Sequence, residues 1–198
     1  IPLGKTRTYG DIAREIGAGR LLLASSVAVY GAGQGFGQGV LREESPLAPV
    51  SDYARAKCAM EAAVRSHGAL EVCALRIGNV IGADALFGPR ARAEITLDIF
   101  ADGHGPRRNW LRPRDFARAL AHLATTPAAL PPALNLARRG LVAMDALLDV
   151  AGRSYARRAA PESALETVEI DASRAIALGA LDAAPLTAPA LIASLSEI

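Results

Sequence analysis

Two short apolar runs, Arg20-Leu21-Leu22-Leu23-Ala24-Ser25-Ser26 and Glu71-Val72-Cys73-Ala74-Leu75-Arg76-Ile77, constrain the fold of this chain more than any other feature. Each is continuous and not alternating, as expected for a strand buried on both faces of a parallel sheet. Between them lies one helical segment, from about 51 to about 67, which ends before Gly68. Ser51 is placed to cap it, and Asp52 in its first turn complements the helix dipole. Strand, loop, helix and strand make a right-handed βαβ unit, which brings the ends of both strands and the start of the helix to one crevice. Ser26, Tyr53 and Asn79 are expected to converge there.

Tyr53 and Lys57, four residues apart, share a helix face. A cation beside a phenol stabilises phenolate and lowers a tyrosine pKa from about 10 towards neutrality, where it can exchange protons with a substrate hydroxyl. Alone, Tyr-x-x-x-Lys also describes a solvated helix face, so its meaning depends on the surrounding chain.

At 198 residues, with 51% hydrophobic and 21% charged residues, the chain has room for one good core or one domain with a smaller lobe. A formal charge of +2, from 22 basic and 20 acidic residues, provides no field that would attract nucleic acid or an anionic membrane. No apolar run reaches the roughly 18 residues of a membrane span, and the N-terminus lacks the layout of a signal peptide. A cytoplasmic protein is therefore expected. Cys58 and Cys73 lie in apolar stretches without metal-ligand spacing and read as buried thiols. His104 and His122 likewise have no metal-ligand spacing and read as loop and helix-surface residues, so no metal site is expected. The glycine run from Gly31 to Gly39 has no Gly-x-Gly-x-x-Gly register and leads into a proline-containing loop, so it reads as a flexible loop and not a phosphate cradle. Beyond Pro113 helices are expected over about 114–124, 144–151 and 189–195, with a strand near Leu134. Arg153, Arg157 and Arg158 read as residues of a solvated loop beside Tyr155, or as a basic patch.

The motifs, taken in series, resemble the extended short-chain dehydrogenase/reductase family, the NAD-dependent epimerases and dehydratases of nucleotide sugars. The resemblance rests on Ser25-Ser26-Val27-Ala28-Val29-Tyr30-Gly31, Glu44-Ser45-Pro46 with Pro49, Tyr53-x-x-x-Lys57, and Leu75-Arg76-Ile77-Gly78-Asn79-Val80-Ile81-Gly82. It continues through Asp102-Gly103, Arg107 or Arg108, Trp110, Asp115-Phe116-Ala117, Leu134-Asn135-Leu136-Ala137, Asp171-Ala172-Ser173-Arg174 and Leu178-Gly179. It implies an α/β fold: a partial Rossmann-like parallel sheet with flanking helices and a small C-terminal α/β substrate lobe. The sheet portion would occupy 19–85 and the lobe, interleaved with the last sheet elements, 86–198.

For chemistry, the resemblance implies that Tyr53 is the acid/base, that Lys57 supports its phenolate and binds the nicotinamide ribose, and that Ser26 hydrogen-bonds the reacting oxygen. It places the cofactor NAD or NADP on Ser26, Tyr53, Lys57 and Gly78. The substrate, expected to be a nucleotide sugar or similar hydroxy compound, would meet Ser26, Asn79 and Arg108, with Arg107 as the alternative phosphate clamp.

Two departures qualify the expectation. Residues 1–18 read as a foreign-looking turn and short helix with apolar positions Ile12, Ala13 and Ile16, stopped at Gly17. They resemble the opening of the DNA-binding part of the alkylguanine-DNA alkyltransferases, but the Pro-Cys-His-Arg motif that alkyl transfer requires is absent, and no nucleic-acid partner is expected. The family's opening strand and Gly-x-x-Gly-x-x-Gly are also absent. The expected consequences are weak cofactor binding and an exposed strand edge around Leu22 that favours a homodimer. A catalytically inactive remnant serving as a binding or structural module is the alternative to an enzyme.

Overall fold

The computed structural model describes residues 9–33, 39–64, 70–89, 91–92 and 94–197. In chain order the first half contains α1 (Tyr9–Glu15), β1 (Arg20–Ser26), α2 (Asp52–Val64), β2 (Glu71–Ile77), β3 (Asn79–Val80) and β4 (Thr96–Ile99). The second contains β5 (Arg107–Arg108), β6 (Trp110–Leu111), α3 (Pro113–Thr125), β7 (Ala133–Leu136), β8 (Val142–Ala143), α4 (Met144–Val150), β9 (Ala156–Ala159), β10 (Thr167–Val168), α5 (Ser173–Ala177) and α6 (Ala188–Ala193).

The two apolar runs form the expected parallel pair, from Arg20 opposite Glu71 to Ser26 opposite Ile77, and β7 adds to the far side of β2 in the same direction. β2 is covered on both faces, with Cys73 to Arg76 all buried, whereas β1 is covered only in part, with Leu23 and Ser25 buried and Ala24 exposed. Leu23, Ala74 and Ala133 pack against Val64 and Met60 of α2. On the opposite face Cys73, Leu75, Leu134 and Leu136 pack against Ala119 and Leu123 of α3 and Ala175 of α5. Among the described residues β1 pairs only with β2, which leaves its other edge open as the sequence suggests.

Arg20 fastens this edge to α3. Its guanidinium donates to the carbonyls of Leu123 (2.7 Å), Thr126 (2.9 Å) and Ala128 (3.0 Å), where the last turn of a helix leaves acceptors unpaired. Glu71, its neighbour across the strands, pairs with it and accepts from Leu130 N at 2.8 Å. That backbone bond and Arg20 hold the Glu71 carboxyl below the usual glutamate range.

The smaller sheets β10-β5-β8, β3-β6 and β4-β9 surround a second core of Ile81, Leu97, Trp110, Leu147, Leu148 and Leu191. The indole of Trp110 donates to Val142 O at 3.2 Å, so the one tryptophan is buried with its N–H satisfied.

Local chemistry agrees with most of the expected boundaries. Ser51 Oγ accepts from Ala54 N at 3.1 Å, the cap read from sequence, and α2 runs to Val64, with 65–69 outside the described residues. The last helix starts at Ala188, one residue before its proline, because Thr187 supplies the cap by accepting from Ala190 N. Gly31 begins the glycine run in a left-handed conformation, φ 65°, with Ala48 O only 1.8 Å from where a Cβ would stand. It is a steric requirement within the 3-10 turn Val27–Gly33; residues 34–38 of the run lie outside those described. In α1 the apolar stripe is buried at only one of its three positions, Ala13. Gly10 and Ala13 are buried where α1 meets β1, whereas Ile12 is 42% and Ile16 76% exposed, because the small face is the one turned inward. Residues 1–8, with the expected turn, lie outside the described residues.

The sheet and α2 bury an ion pair between them. Arg76 of β2 and Glu61 of α2, both 2% exposed, meet at 2.8 Å. Breaking such a pair leaves an uncompensated buried charge, so Glu61→Ala is expected to lower unfolding stability by about 3–5 kcal/mol in urea denaturation. Cys73, fully buried in the sheet, has its thiol pushed up to about 12 by burial. Because only thiolate reacts, Cys73 is expected to resist thiol reagents at about pH 8 in the native chain and to react once denaturant is added, as counted by chromogenic thiol titration.

Candidate active site at the carboxyl ends of the parallel strands

The site is assembled by the strand ends and the first two turns of α2. Ser26 is the last residue of β1, and Ile77 beside it is followed within two residues by Asn79. Tyr53 and Lys57 project from successive turns of α2, and Lys57 Nζ lies 5.6 Å from the centroid of the Tyr53 ring. The same ammonium donates to Ala24 O at 2.6 Å, two residues before Ser26. One cation thereby links the phenol to the strand that carries the hydroxyl. The Ser26 Oγ accepts from Ala28 N at 3.2 Å, and among the described residues its proton has no acceptor. Tyr53 is 57% exposed, open to whatever enters the crevice. Lys57 has three N–H donors, of which the Ala24 carbonyl takes one.

Beneath this surface runs a row of buried polar groups that the motif reading passed over. Ser25, Arg76 and Asn135 are in register across β1, β2 and β7. Glu61 of α2 accepts from Ser25 Oγ at 2.5 Å, Arg76 Nε at 3.2 Å and Arg76 Nη2 at 2.8 Å. From its other side Arg76 donates to Tyr30 OH and Glu43 O, both at 2.9 Å, and Tyr30 donates on to Asn135 Oδ1 at 2.7 Å. Burial opposes the charge of Arg76, but its bonds to Glu61 and Tyr30 prevail and raise its hold on the proton. Burial pushes the Tyr30 phenol up, against the pull of Arg76, so it serves as a neutral donor. The sequence held a signal for this row: Glu61 follows Tyr53 and Lys57 at a further four-residue step, and an arginine interrupts an apolar strand.

Gly78 and Asn79 continue from β2. A Cβ at Gly78 would stand 3.3 Å from both Ala137 Cβ and Leu136 O, and its N–H is bonded to Leu136 O at 2.9 Å. Close packing against β7 thus accounts for the glycine. Asn79 is half-buried and paired in register with Trp110.

The two adjacent arginines have opposite surroundings. Arg107 is neutralised by Asp102 and Glu166. Arg108 has no carboxylate partner among the described residues; it donates to Arg107 O (2.7 Å), Glu166 O (3.1 Å) and Leu165 O (2.9 Å). Three carbonyls fix its plane, and two of the five guanidinium donors remain. Burial pushes it down to about 10, so it is still a cation at neutral pH. It belongs to the β10-β5-β8 sheet, and not to the parallel sheet that carries Ser26.

Several lobe residues are more engaged than the sequence suggests. Arg153 donates to Leu86 O and to Arg92 O (3.2 Å) and stacks on the Phe87 ring at 5.5 Å. Arg157 and Arg158 belong to strand β9 and bind Gly103 O (2.7 Å) and Asp98 (2.8 Å). The expected loop is corrected for Arg157 and Arg158, which are exposed as expected but lie on a strand, while Arg153 lies outside any helix or strand; each guanidinium is held by a different partner. His104 pairs with the buried Asp145 at 3.0 Å, and His122 bonds Leu178 O at 2.7 Å. Among the described residues no group of three or more His, Cys, Asp or Glu is arranged to hold a metal ion, and no helix is long and apolar enough to cross a membrane.

The fold is shared with solved structures. MoeE5 in complex with UDP-glucose and NAD aligns with a TM-score of 0.72 at 22% identity, over 95% of this chain and 68% of that one. A short-chain dehydrogenase/reductase superfamily protein from Agrobacterium tumefaciens with bound NAD gives 0.75 at 20% identity, over 94% and 69%. UDP-glucose 4-epimerase from Thermus thermophilus, in complex with NAD, gives 0.70 at 19%, over 94% and 66%. The chain spans about two thirds of the length of each. Comparison with curated proteins gives no match. The profile of the NAD dependent epimerase/dehydratase family matches residues 5–137, a span that includes α1 as well as the parallel strands and most of the candidate site. With more than half of its residues matched in this way, the chain belongs to the NAD dependent epimerase/dehydratase family.

Proposed function

We propose that this chain is the proton-handling and substrate-binding part of an NAD(P)-dependent oxidoreductase of the epimerase/dehydratase type, acting on a nucleotide sugar or a similar hydroxy compound. The observation that carries the reading is Lys57, whose ammonium reaches both the Tyr53 ring and the Ala24 carbonyl just before Ser26. The residues present suit a nicotinamide riboside: among the described residues Lys57 has two donors left for ribose hydroxyls and the Ser26 hydroxyl has no acceptor for its proton, and Tyr53 is exposed beside Lys57. When bound, the nicotinamide supplies a hydride acceptor or donor.

The chain's own groups do the rest. Ser26 holds the reacting oxygen of the substrate. Tyr53 Oη takes the proton of that hydroxyl as carbon loses hydride, and returns it in the reverse step. Lys57 stabilises the charge that develops on the phenolate during transfer. Holding phenol, hydroxyl and substrate together also removes much of the entropic part of the barrier. Arg108 is a half-buried cation with spare donors and no carboxylate partner among the described residues, suited to a diphosphate. Asn79, next to the strand end, would assist it, and Gly78 would admit the nicotinamide to the backbone. The UDP-glucose and NAD held by MoeE5, and the NAD held by the Thermus epimerase, support a nucleotide-sugar substrate and NAD for this chain.

Tyr53→Phe is expected to lower turnover of a UDP-sugar with NAD by about a hundredfold or more, while UDP-sugar affinity measured by calorimetry stays within a few fold. Absence of both turnover and NAD binding in the wild-type chain would sink the enzymatic reading in favour of a binding or structural module. Arg108→Ala is expected to weaken UDP binding by roughly tenfold or more, the worth of a charge-assisted hydrogen bond. Arg107→Ala, whose charge is already matched by Asp102 and Glu166, is expected to change it far less; equal losses would count against the assignment of Arg108.

A further inference from the structure

The buried row beneath the site does more than satisfy Arg76. We propose that Glu61 is a positioning residue that fixes α2 along β1, so that Tyr53 and Lys57 stand level with Ser26; this rests on the catalytic reading of those three residues.

The covalent chain does not set that level, because the connection from Ser26 to α2 is long and includes the glycine run. Packing contributes through small or half-buried side chains: Ala54 and Val64 are buried, Cys58 packs beside Val29 and Tyr30, and Met60 beside Leu23 and Ala74. Apolar contacts of this kind are not directional. The polar bonds are directional, and they fall on consecutive turns. Lys57 is tied to Ala24 O, and Glu61 to Ser25 Oγ, so α2 is fastened to two consecutive residues immediately before Ser26. Glu61 also grips Arg76, the residue opposite Ser25 on β2, with two bonds. The carboxylate therefore holds both members of a cross-strand pair, about 12 Å along the helix from Tyr53.

A carboxylate is required for this arrangement. It accepts from Ser25 and from two Arg76 donors at once, whereas an amide has one acceptor oxygen and turns two N–H donors towards an arginine. Glu61→Gln therefore preserves the shape of the residue and disrupts its grip. The charge is tolerated at this depth because Arg76 is held on its far side by Tyr30 and Glu43 O.

The test uses the ligand-free chain with isotopically labelled lysine. Lys5 and Lys57 are its only lysines, so Lys5 serves as an internal reference. In the wild type the Lys57 ammonium, bonded to Ala24 O, is expected to give a magnetic resonance signal protected from solvent exchange. In Glu61→Gln that signal is expected to be lost while the Lys5 signal is unchanged and the chain still melts cooperatively. Ser25→Ala removes only the link from Glu61 to β1, so it is expected to act in the same direction and decides the matter if Glu61→Gln does not fold. A Lys57 signal unchanged in folded Glu61→Gln and Ser25→Ala would overturn the proposal, since a purely stabilising pair would shift the melting temperature alone. Because the reading is made without substrate or NAD, it is independent of turnover in the wild type, whose absence would refute the proposed function instead.

Discussion

Arg76 is the charge around which the parallel sheet is built. Removing a guanidinium from water costs several kcal/mol, and a buried strand offers no solvent to offset it. Four segments meet that demand: Glu61 from α2, Tyr30 from the 3-10 turn after β1, Glu43 O from the following loop, and, through Tyr30, Asn135 from β7. Asn135 continues the chain of bonds, donating to Leu41 O and Asp171 O while its own N–H reaches Glu43 Oε1 at 2.9 Å. Each partner depends on the others being in place. A network of this kind tolerates few alternative packings, and the one it selects brings α2, β1 and the end of β2 to a common level.

The rest of the chain relies on the same residue type in a different manner. Lysine is scarce here and arginine abundant, and the arginines mostly bind backbone carbonyls and aspartates. Arg20 closes the end of α3, Arg153 holds the loop at Leu86, and Arg112 grips Asp115 with bonds of 2.7 and 2.8 Å at the start of α3. A planar fork with five donors can satisfy several acceptors at once, which an ammonium cannot do in the same geometry. Arg108 is likewise immobilised by carbonyls and, like Arg153 and Arg157, meets no carboxylate among the described residues; what sets it apart is that burial pushes its pKa down to about 10.

Much of this was legible in the sequence. Both strands carry the predicted bounds, Ser51 caps the helix that holds Tyr53 and Lys57, and the pairing of those two follows from helical spacing alone. These features are local, set by hydrophobic runs, capping chemistry and a period of 3.6 residues. The exposure of Ile12 and Ile16 was not legible, because spacing identifies a stripe without saying which side of the helix meets a neighbour. The arginines of β9 were misplaced because a short exposed strand, paired with β4, has no apolar run to announce it.

The sequence by itself determined the strand–helix–strand unit, the capped helix and the Tyr53–Lys57 pair on its first two turns, because each depends on residues close together along the chain. Only the tertiary structure decided that Glu61, Ser25, Arg76, Tyr30 and Asn135 form one row, and that Arg108 and not Arg107 keeps its charge without a carboxylate partner among the described residues. Those outcomes depend on partners 15 to 105 residues away along the chain, as between Arg76 and Glu61 or Tyr30 and Asn135. Which donor finds which acceptor is settled by strand register and burial. The pair that first marks the chain, Tyr53 with Lys57, is a local pattern held against β1 by contacts that no local pattern contains.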